Sequence, residues 1–412
     1  YNNCEDTKER GVFMNLDNIR VAKEHIKDVV VKTPLLHSNF FSKQSNNNVY
    51  MKCENLQLTG AYKLRGALNK MMSLSDEEKE KGVVCSSAGN HAQGVAYAAN
   101  LMGIKATIVM PTTTPYLKVK STKDLGGNVI LHGSVYDDAY SYAKKLEEEK
   151  GYTFLHPFND LNVIYGQGTI ALEILEDLKD IDVIVCPIGG GGLISGVALA
   201  AKGINSNIKI IGVQAAGANA METSFHLGKL TPLTSVNTIA DGIAVKSPGD
   251  ITFSIIKEYV DEIITVTDDE IVDAFLALSE KHKLIAEASG AASLAALSKL
   301  NFEGKNIVSI ISGGNIDMLT ITSLINSGLV SRGRLFCFSI ELPNIPGELN
   351  RITHILKELN ANVVKLEHNQ FKAVNKLKNT LLEVTVETNG YEHIDTIKNR
   401  FISDGYLIEQ LY

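Results

Sequence analysis

From residue 49 to about 325 the chain repeats one pattern: a short, unbroken Val/Ile-rich run, then a longer stretch with helical character. The runs include VYMKCE, GVVCSS, KATIVM, NVILHG, YTFLHP, DVIVCPI, KIIGVQ and NIVSIIS. A strand with one wet face alternates apolar and polar residues, whereas a strand that is apolar throughout is covered on both faces, as in a parallel sheet. Between these runs lie AQGVAYAANLM, VYDDAYSYAKKLEEEK and SGAASLAALSKL, which read as helices. Such alternation predicts an α/β fold of open, mostly parallel sheets with helices on both sides. Ahead of it, residues 16–30 read as an amphipathic helix, and Pro34 marks an extended segment.

The pattern changes after NSGLVSRGR, residues 326–334. An alternating strand, LFCFSIEL, leads through PNIPGELNRITHILKELN into a helix. Two further strands, ANVVKLEHNQ and NTLLEVTVETN, precede the helix YEHIDTIKNRFISD and a last strand, YLIEQLY. The order β-α-β-β-α-β is the ferredoxin-like α+β unit. The expected organisation is therefore a catalytic-sized domain over 1–326, with a smaller subdomain at about 52–156, and a second domain over 333–412.

Bulk properties narrow the function. The formal net charge is −7 and no long basic run occurs, so no nucleic-acid partner is expected. No apolar run reaches the roughly 20 residues of a membrane span. The first ten residues, YNNCEDTKER, are polar and carry no apolar signal core. The five cysteines, Cys4, Cys53, Cys85, Cys186 and Cys337, are widely spaced with no C-x-x-C pair. That excludes a disulfide framework or a zinc site and suits a reducing, cytoplasmic setting.

Three strand-to-helix junctions carry the chemistry. CPIGGGGLISGVALAA, residues 186–201, places four glycines where a strand meets a helix. Backbone without Cβ can approach a ligand closely, and the helix start offers unpaired N–H groups and a positive dipole end. The stretch lacks the G-x-G-x-x-G spacing, no acidic residue follows the next strand, and no G-x-x-x-x-G-K-[ST] occurs. NAD and P-loop nucleotides are thereby disfavoured. CSSAGNHAQG, residues 85–94, gathers hydroxyl and amide donors suited to a carboxylate. ISGGNID, residues 311–317, is the third junction. Each alone also reads as an ordinary cap or turn. Add Lys63, in TGAYKLRG after the strand VYMKCE, and four such features converge where an open α/β sheet places its ligand crevice. A phosphate-bearing aldehyde, pyridoxal 5′-phosphate, would use them all, with the lysine as its covalent anchor.

ENLQLTGAYKLRGA, SSAGNHAQGVAYAA, HPFNDLNVIYGQGTIALEI, PIGGGGLISG and ISGGNID, in this order over residues 16–325, resemble the serine/threonine dehydratases of pyridoxal-phosphate fold type II. The tail resembles an ACT domain, with LPNIPGELNRI at its ligand-loop position. The resemblance implies two open, mostly parallel sheets and gives roles by position. Lys63 matches the Schiff-base lysine and Tyr62 its neighbour near the ring. Gly189, Gly190, Gly191, Gly192 and Leu193 match the phosphate loop. Asn90 matches the amide on the pyridoxal 3′-oxygen, Ser312 the partner of the pyridine nitrogen, and Gly242 a residue lining the ring. Ser87, Ala88, Gly89, Asn90 and His91 match the carboxylate loop, and Glu287 stands near the cofactor or a cation.

The implied reaction is β-elimination from L-threonine, giving 2-oxobutanoate and ammonia, with L-serine giving pyruvate. Lys63 would take the Cα proton and the cofactor phosphate would protonate the departing hydroxyl. A neutral hydroxyl at Ser312 does not hold the pyridine nitrogen protonated, which disfavours a long-lived carbanion. Related serine racemases carry serine where this chain has Ala88, and asparagine where it has Phe158. No carboxylate follows in VQAAGANA, so no divalent metal is expected, while a monovalent cation on carbonyls stays compatible. The ACT resemblance implies a homodimer or homotetramer and an amino-acid effector, isoleucine or valine, near Asn344 and Gly347; a purely structural pairing role fits the same residues. The alternatives are a serine dehydratase or racemase and, from another class, an amino-acid sensor on the same fold.

Overall fold

The computed structural model describes residues 16–369 and 378–412, which leaves Cys4 and Gln370 outside it. The chain divides into two units, one ending at Ile316 and the other starting at Asp317. The helix Met318–Ser331, capped by the Asp317 carboxylate, thus goes with the second unit, although the sequence pattern assigned its first residues to the first domain.

The first unit holds two sheets. Its strands are β1 (Leu35–His37), β2 (Asn48–Cys53), β3 (Val83–Ser86), β4 (Ala106–Met110), β5 (Asn128–Leu131), β6 (Thr153–Phe154), β7 (Val183–Pro187), β8 (Lys209–Ala215), β9 (Glu262–Val266) and β10 (Asn306–Ile311). The larger sheet has the order β1-β2-β10-β7-β8-β9 and is parallel except at β1–β2. The smaller, β5-β4-β3-β6, is parallel throughout and lies within the 52–156 span. Every residue of β3, β4 and β7 is buried, which is why these runs show no alternation. Sequence reading misses β1 and β9 as strands. Both are short sheet-edge strands with partly exposed residues: β1 is three residues within the extended segment around Pro34, and β9 is five residues. The first described helix also stops at Ile26, short of residue 30.

The helix Lys63–Met72 sits between the helices Asn90–Met102 and Leu161–Asp177. The second contact is made backbone to backbone. A Cβ on Gly166 would fall 2.5 Å from the Arg65 carbonyl oxygen and 2.7 Å from Gly66 Cα. One on Gly196, in the helix Gly192–Ile204, would fall 2.3 Å from the Ile164 carbonyl. Any side chain at these points would push the helices apart.

A buried ionic cluster fixes the same helix. Arg65 is fully buried and forks onto Glu54 through Nε–Oε2 at 2.8 Å and Nη2–Oε1 at 2.9 Å. It also meets both oxygens of Glu173, at 2.6 and 3.0 Å. Lys52 Nζ donates to Glu173 Oε2 and to the Thr33 carbonyl, each at 2.6 Å. Two cations face two anions, so the cluster is neutral and nearly every polar atom is engaged, as a buried cluster requires. Glu173→Gln leaves one buried cation uncompensated. We expect it to lower unfolding free energy by about 3–5 kcal/mol, read as a shifted midpoint in chemical denaturation; an unchanged midpoint would count against this role.

The second unit contains β11 (Leu335–Pro343), the helix Glu348–Glu358, β12 (Asn362–Asn369), β13 (Asn379–Glu387), the helix Tyr391–Ser403 and β14 (Ile408–Gln410). Its antiparallel sheet has the order β12-β13-β11-β14, the ferredoxin-like arrangement. Alternate residues Phe336, Phe338, Ile340 and Leu342 pack with Ile352, Ile397 and Phe401 into its own core. Gly347 caps the first helix at φ +100°, and both it and Asn344 are exposed.

Candidate active site

Lys63 opens the helix Lys63–Met72, and the turn before it is sewn to the end of β10. The Tyr62 N–H donates to the Ser312 carbonyl at 3.1 Å, and the Gly314 N–H to the Gly60 carbonyl at 2.8 Å. Lys63 Nζ donates to the Pro157 carbonyl at 2.7 Å and lies 5.2 Å from the centre of the Tyr62 ring. Burial disfavours its charged form and lowers its pKa to about 8.

Around that amine the sequence-predicted residues come together as neighbours. Glu287 is buried and accepts from Asn90 Nδ2 at 2.6 Å. Burial raises its pKa to about 8, aided by the charge of Asp241, which Lys118 pairs at 2.8 Å. A Cβ on Gly313 would lie 2.6 Å from Glu287 Oε1, and one on Gly242 3.5 Å from the same atom. A Cβ on Gly189 would meet the Gly242 carbonyl at 3.4 Å. The order Lys63, Tyr62, Ser312, Gly313, Asn90, Glu287, Gly242, Gly189 therefore traces one continuous wall.

The glycine loop closes it. Gly191 takes φ +97°, and the helix begins at Gly192, leaving first-turn N–H groups without intrahelical acceptors. Side chains on Gly190 or Gly192 would strike Phe158, at 2.3 and 2.9 Å. The Thr252 hydroxyl holds the Gly190 carbonyl at 2.7 Å. Phe158 and Pro157 belong to a turn organised by His156, whose Nδ1 accepts from the N–H groups of Phe158 and Asn159, at 3.3 and 2.8 Å. Sequence reasoning finds Phe158 but misses Pro157, His156 and Thr252, because a carbonyl contact or a loop-binding imidazole leaves no trace in residue type.

The loop after β3 presents Ser87, Ala88 and Gly89, all part-buried, before the helix Asn90–Met102. The Ser87 hydroxyl accepts from the Gly89 N–H at 3.3 Å, and a Cβ on Gly89 would meet open space. His91 is different. Its Nε2 bonds the Leu155 carbonyl at 2.9 Å, and burial lowers its pKa to about 3, so the imidazole is neutral. Only its backbone N–H is left for an anion. Asn344 and Gly347 belong to the second unit. Among the described residues, no group of three or more His, Cys, Asp or Glu could hold a metal ion.

These residues fit pyridoxal phosphate. The loop 189–193 could hold its phosphate through backbone N–H groups, Lys63 could carry its aldehyde carbon, and Asn90 and Ser312 could meet the ring oxygen and nitrogen. The hydroxyls of Ser86 and Ser289 are buried and have no hydrogen-bond partner among the described residues, and Ser289 Oγ would lie 2.8 Å from a Cβ on Gly242. Ser289 thus leaves a buried hydroxyl free for a polar partner beside the glycine-lined wall.

Comparison with known proteins agrees. Residues 26–313 match the family model described as pyridoxal-phosphate dependent enzyme. The L-threonine ammonia-lyase of Thermotoga maritima is 46% identical over 96% of this chain and 98% of its own length. Among solved structures, threonine deaminase isoform 2 from Solanum lycopersicum, in its processed form, is 41% identical with a TM-score of 0.73, covering 76% of this chain and 86% of that one. Maize serine racemase is also 41% identical with a TM-score of 0.73, covering 77% and 98%. The chain belongs to the family of pyridoxal-phosphate dependent enzymes.

Proposed function

We propose that the chain is an L-threonine ammonia-lyase, converting L-threonine to 2-oxobutanoate and ammonia and L-serine to pyruvate. The carrying observation is Lys63: an amine of lowered pKa, held by one carbonyl, within a wall of neutral donors. The choice of substrate follows the relative named L-threonine ammonia-lyase, which matches almost end to end. When bound, the cofactor supplies an aldehyde and an electron-accepting ring that acidify the substrate's Cα proton.

The chain's own residues do the rest. Lys63 takes that proton when its amine is neutral, and the Pro157 carbonyl orients it. The N–H groups of Gly89, Asn90 and His91 and the Ser87 hydroxyl receive the substrate carboxylate through dipoles, since His91 brings no positive charge. Glu287 stays protonated below about pH 8, so it does not repel that carboxylate. Ser312 offers the pyridine nitrogen a hydroxyl and no charge. Phe158 lies against the glycine loop and shields it from water. The four described cysteines are free and buried, which supports a reducing, cytoplasmic setting.

The second unit is proposed to be an ACT-like regulatory domain that pairs with another copy of the chain and binds a branched-chain amino acid near Asn344 and Gly347. Its ferredoxin-like order and the exposed turn that ends in Gly347 support this.

Three outcomes are expected. Lys63→Ala should cut keto-acid release from threonine and serine by at least about 10²- to 10⁴-fold; D-serine as the main product of the parent would instead favour a racemase. The depressed pKa of Lys63 means that its neutral form grows as pH rises through about 8. Uptake of pyridoxal phosphate by the apoprotein, followed by visible absorbance, should therefore be half-maximal near that pH; a midpoint near the ordinary lysine value would refute the assignment. Finally, isoleucine or valine should change the parent's rate, and Gly347→Val should abolish that response while the effector-free rate stays the same. An identical response in both proteins would remove the regulatory reading.

A further inference from the structure

Asn315 has no part in the wall described above, yet its amide controls a residue that does. Asn315 Nδ2 donates to the Thr59 carbonyl at 2.7 Å and to Asn90 Oδ1 at 2.8 Å. A backbone carbonyl only accepts, so the first bond fixes which end of the Asn315 amide is nitrogen. The second then fixes Asn90: its oxygen faces Asn315 and its nitrogen faces Glu287, at 2.6 Å. The second N–H of Asn90 Nδ2 has no partner among the described residues, and it is the donor left for a ligand.

The space for this relay is kept by Gly60, which lies at φ +69°. A Cβ there would sit 2.4 Å from Asn315 Oδ1. The relay also joins the two sheets of the first unit. Asn90 starts a helix that follows β3 of the smaller sheet, whereas Asn315 follows β10 of the larger one.

We infer that Asn315 is a positioning residue that sets the orientation of the Asn90 amide, so that a donor and not an acceptor faces the cofactor's ring oxygen. This rests on the reading that Asn90 contacts the cofactor. Without Asn315 the amide can turn over, because a protonated Glu287 can donate to Oδ1 as readily as it accepts from Nδ2. Asn315→Asp is the sharper change: the carboxylate cannot donate to Thr59 or Asn90, and it draws Asn90 Nδ2 toward itself.

The test is a double-mutant cycle on cofactor affinity. Apoprotein is titrated with pyridoxal phosphate and binding is followed by visible absorbance and circular dichroism. Asn90→Ala and Asn315→Ala should each weaken binding by about tenfold, the scale of one net hydrogen bond, and Asn315→Asp by more, with an altered dichroic band. The double variant should be no weaker than Asn90→Ala alone, because Asn315 acts through Asn90. Parent affinity in Asn90→Ala would overturn the cofactor contact, and this inference with it. A weakened Asn90→Ala beside an unchanged Asn315→Asp would overturn the inference alone. So would additive losses in the double variant, which would mean a general loosening of the fold.

Discussion

A single residue, Leu64, separates Lys63 from Arg65, and that short interval ties the reactive amine to a cluster of deeply buried charges. Arg65 cannot leave its two carboxylates without exposing all three groups to an apolar surrounding. The helix bearing both residues is therefore locked in rotation and in height. β2 supplies Lys52, the turn after it supplies Glu54, and the helix Leu161–Asp177 supplies Glu173. Segments more than a hundred residues apart in the chain, around residues 52–65 and at Glu173, meet at one neutral cluster, and the first turn above it faces the active site. A hydrophobic core could hold the helix as firmly, but with less control of its rotation, since apolar packing is non-directional.

Above the cluster, burial works against formal charge, so that below about pH 8 the Glu287 carboxyl is neutral while the Lys63 amine still carries its proton. The amine of Lys63 and the carboxyl of Glu287 both have pKa values of about 8, one pushed down and one pushed up by the same lack of water. His91 and His156 are pushed below the physiological range for the same reason. Apart from the Lys63 amine, what remains is an arrangement of dipoles: N–H groups, carbonyls, hydroxyls and amides held in place by the backbone. Such groups stabilise an anion without the large desolvation penalty of a buried arginine or lysine.

Much of this is visible in the sequence because the relevant residues are unusual where they stand. Four glycines in a row, a hydroxyl-rich loop and a lysine at a helix start each have a structural reading alone, but their convergence at strand ends points to a ligand. The parallel core strands are equally plain, since burial on both faces removes polar residues. The charge cluster is not visible. Arg65 and Glu173 are charged residues of the kind that usually faces solvent on a helix, and only the fold shows that both side chains are buried. The edge strands β1 and β9 are harder to read because they are short, three and five residues long. The Pro157 carbonyl could not have been found at all, because every residue has one.

The glycine contacts between helices also bear on how such an enzyme can diversify. Helices that touch main chain to main chain cannot trade a small residue for a larger one, nor slide by part of a turn to make room. The span from Lys63 through Gly66, Gly166 and Gly196 thus behaves as a rigid keel. Enlarging the cavity for a longer amino acid would have to come from the loops that rise from it, around residues 87–89 and 156–159. Relatives with different substrates should then share the keel and differ at the rim.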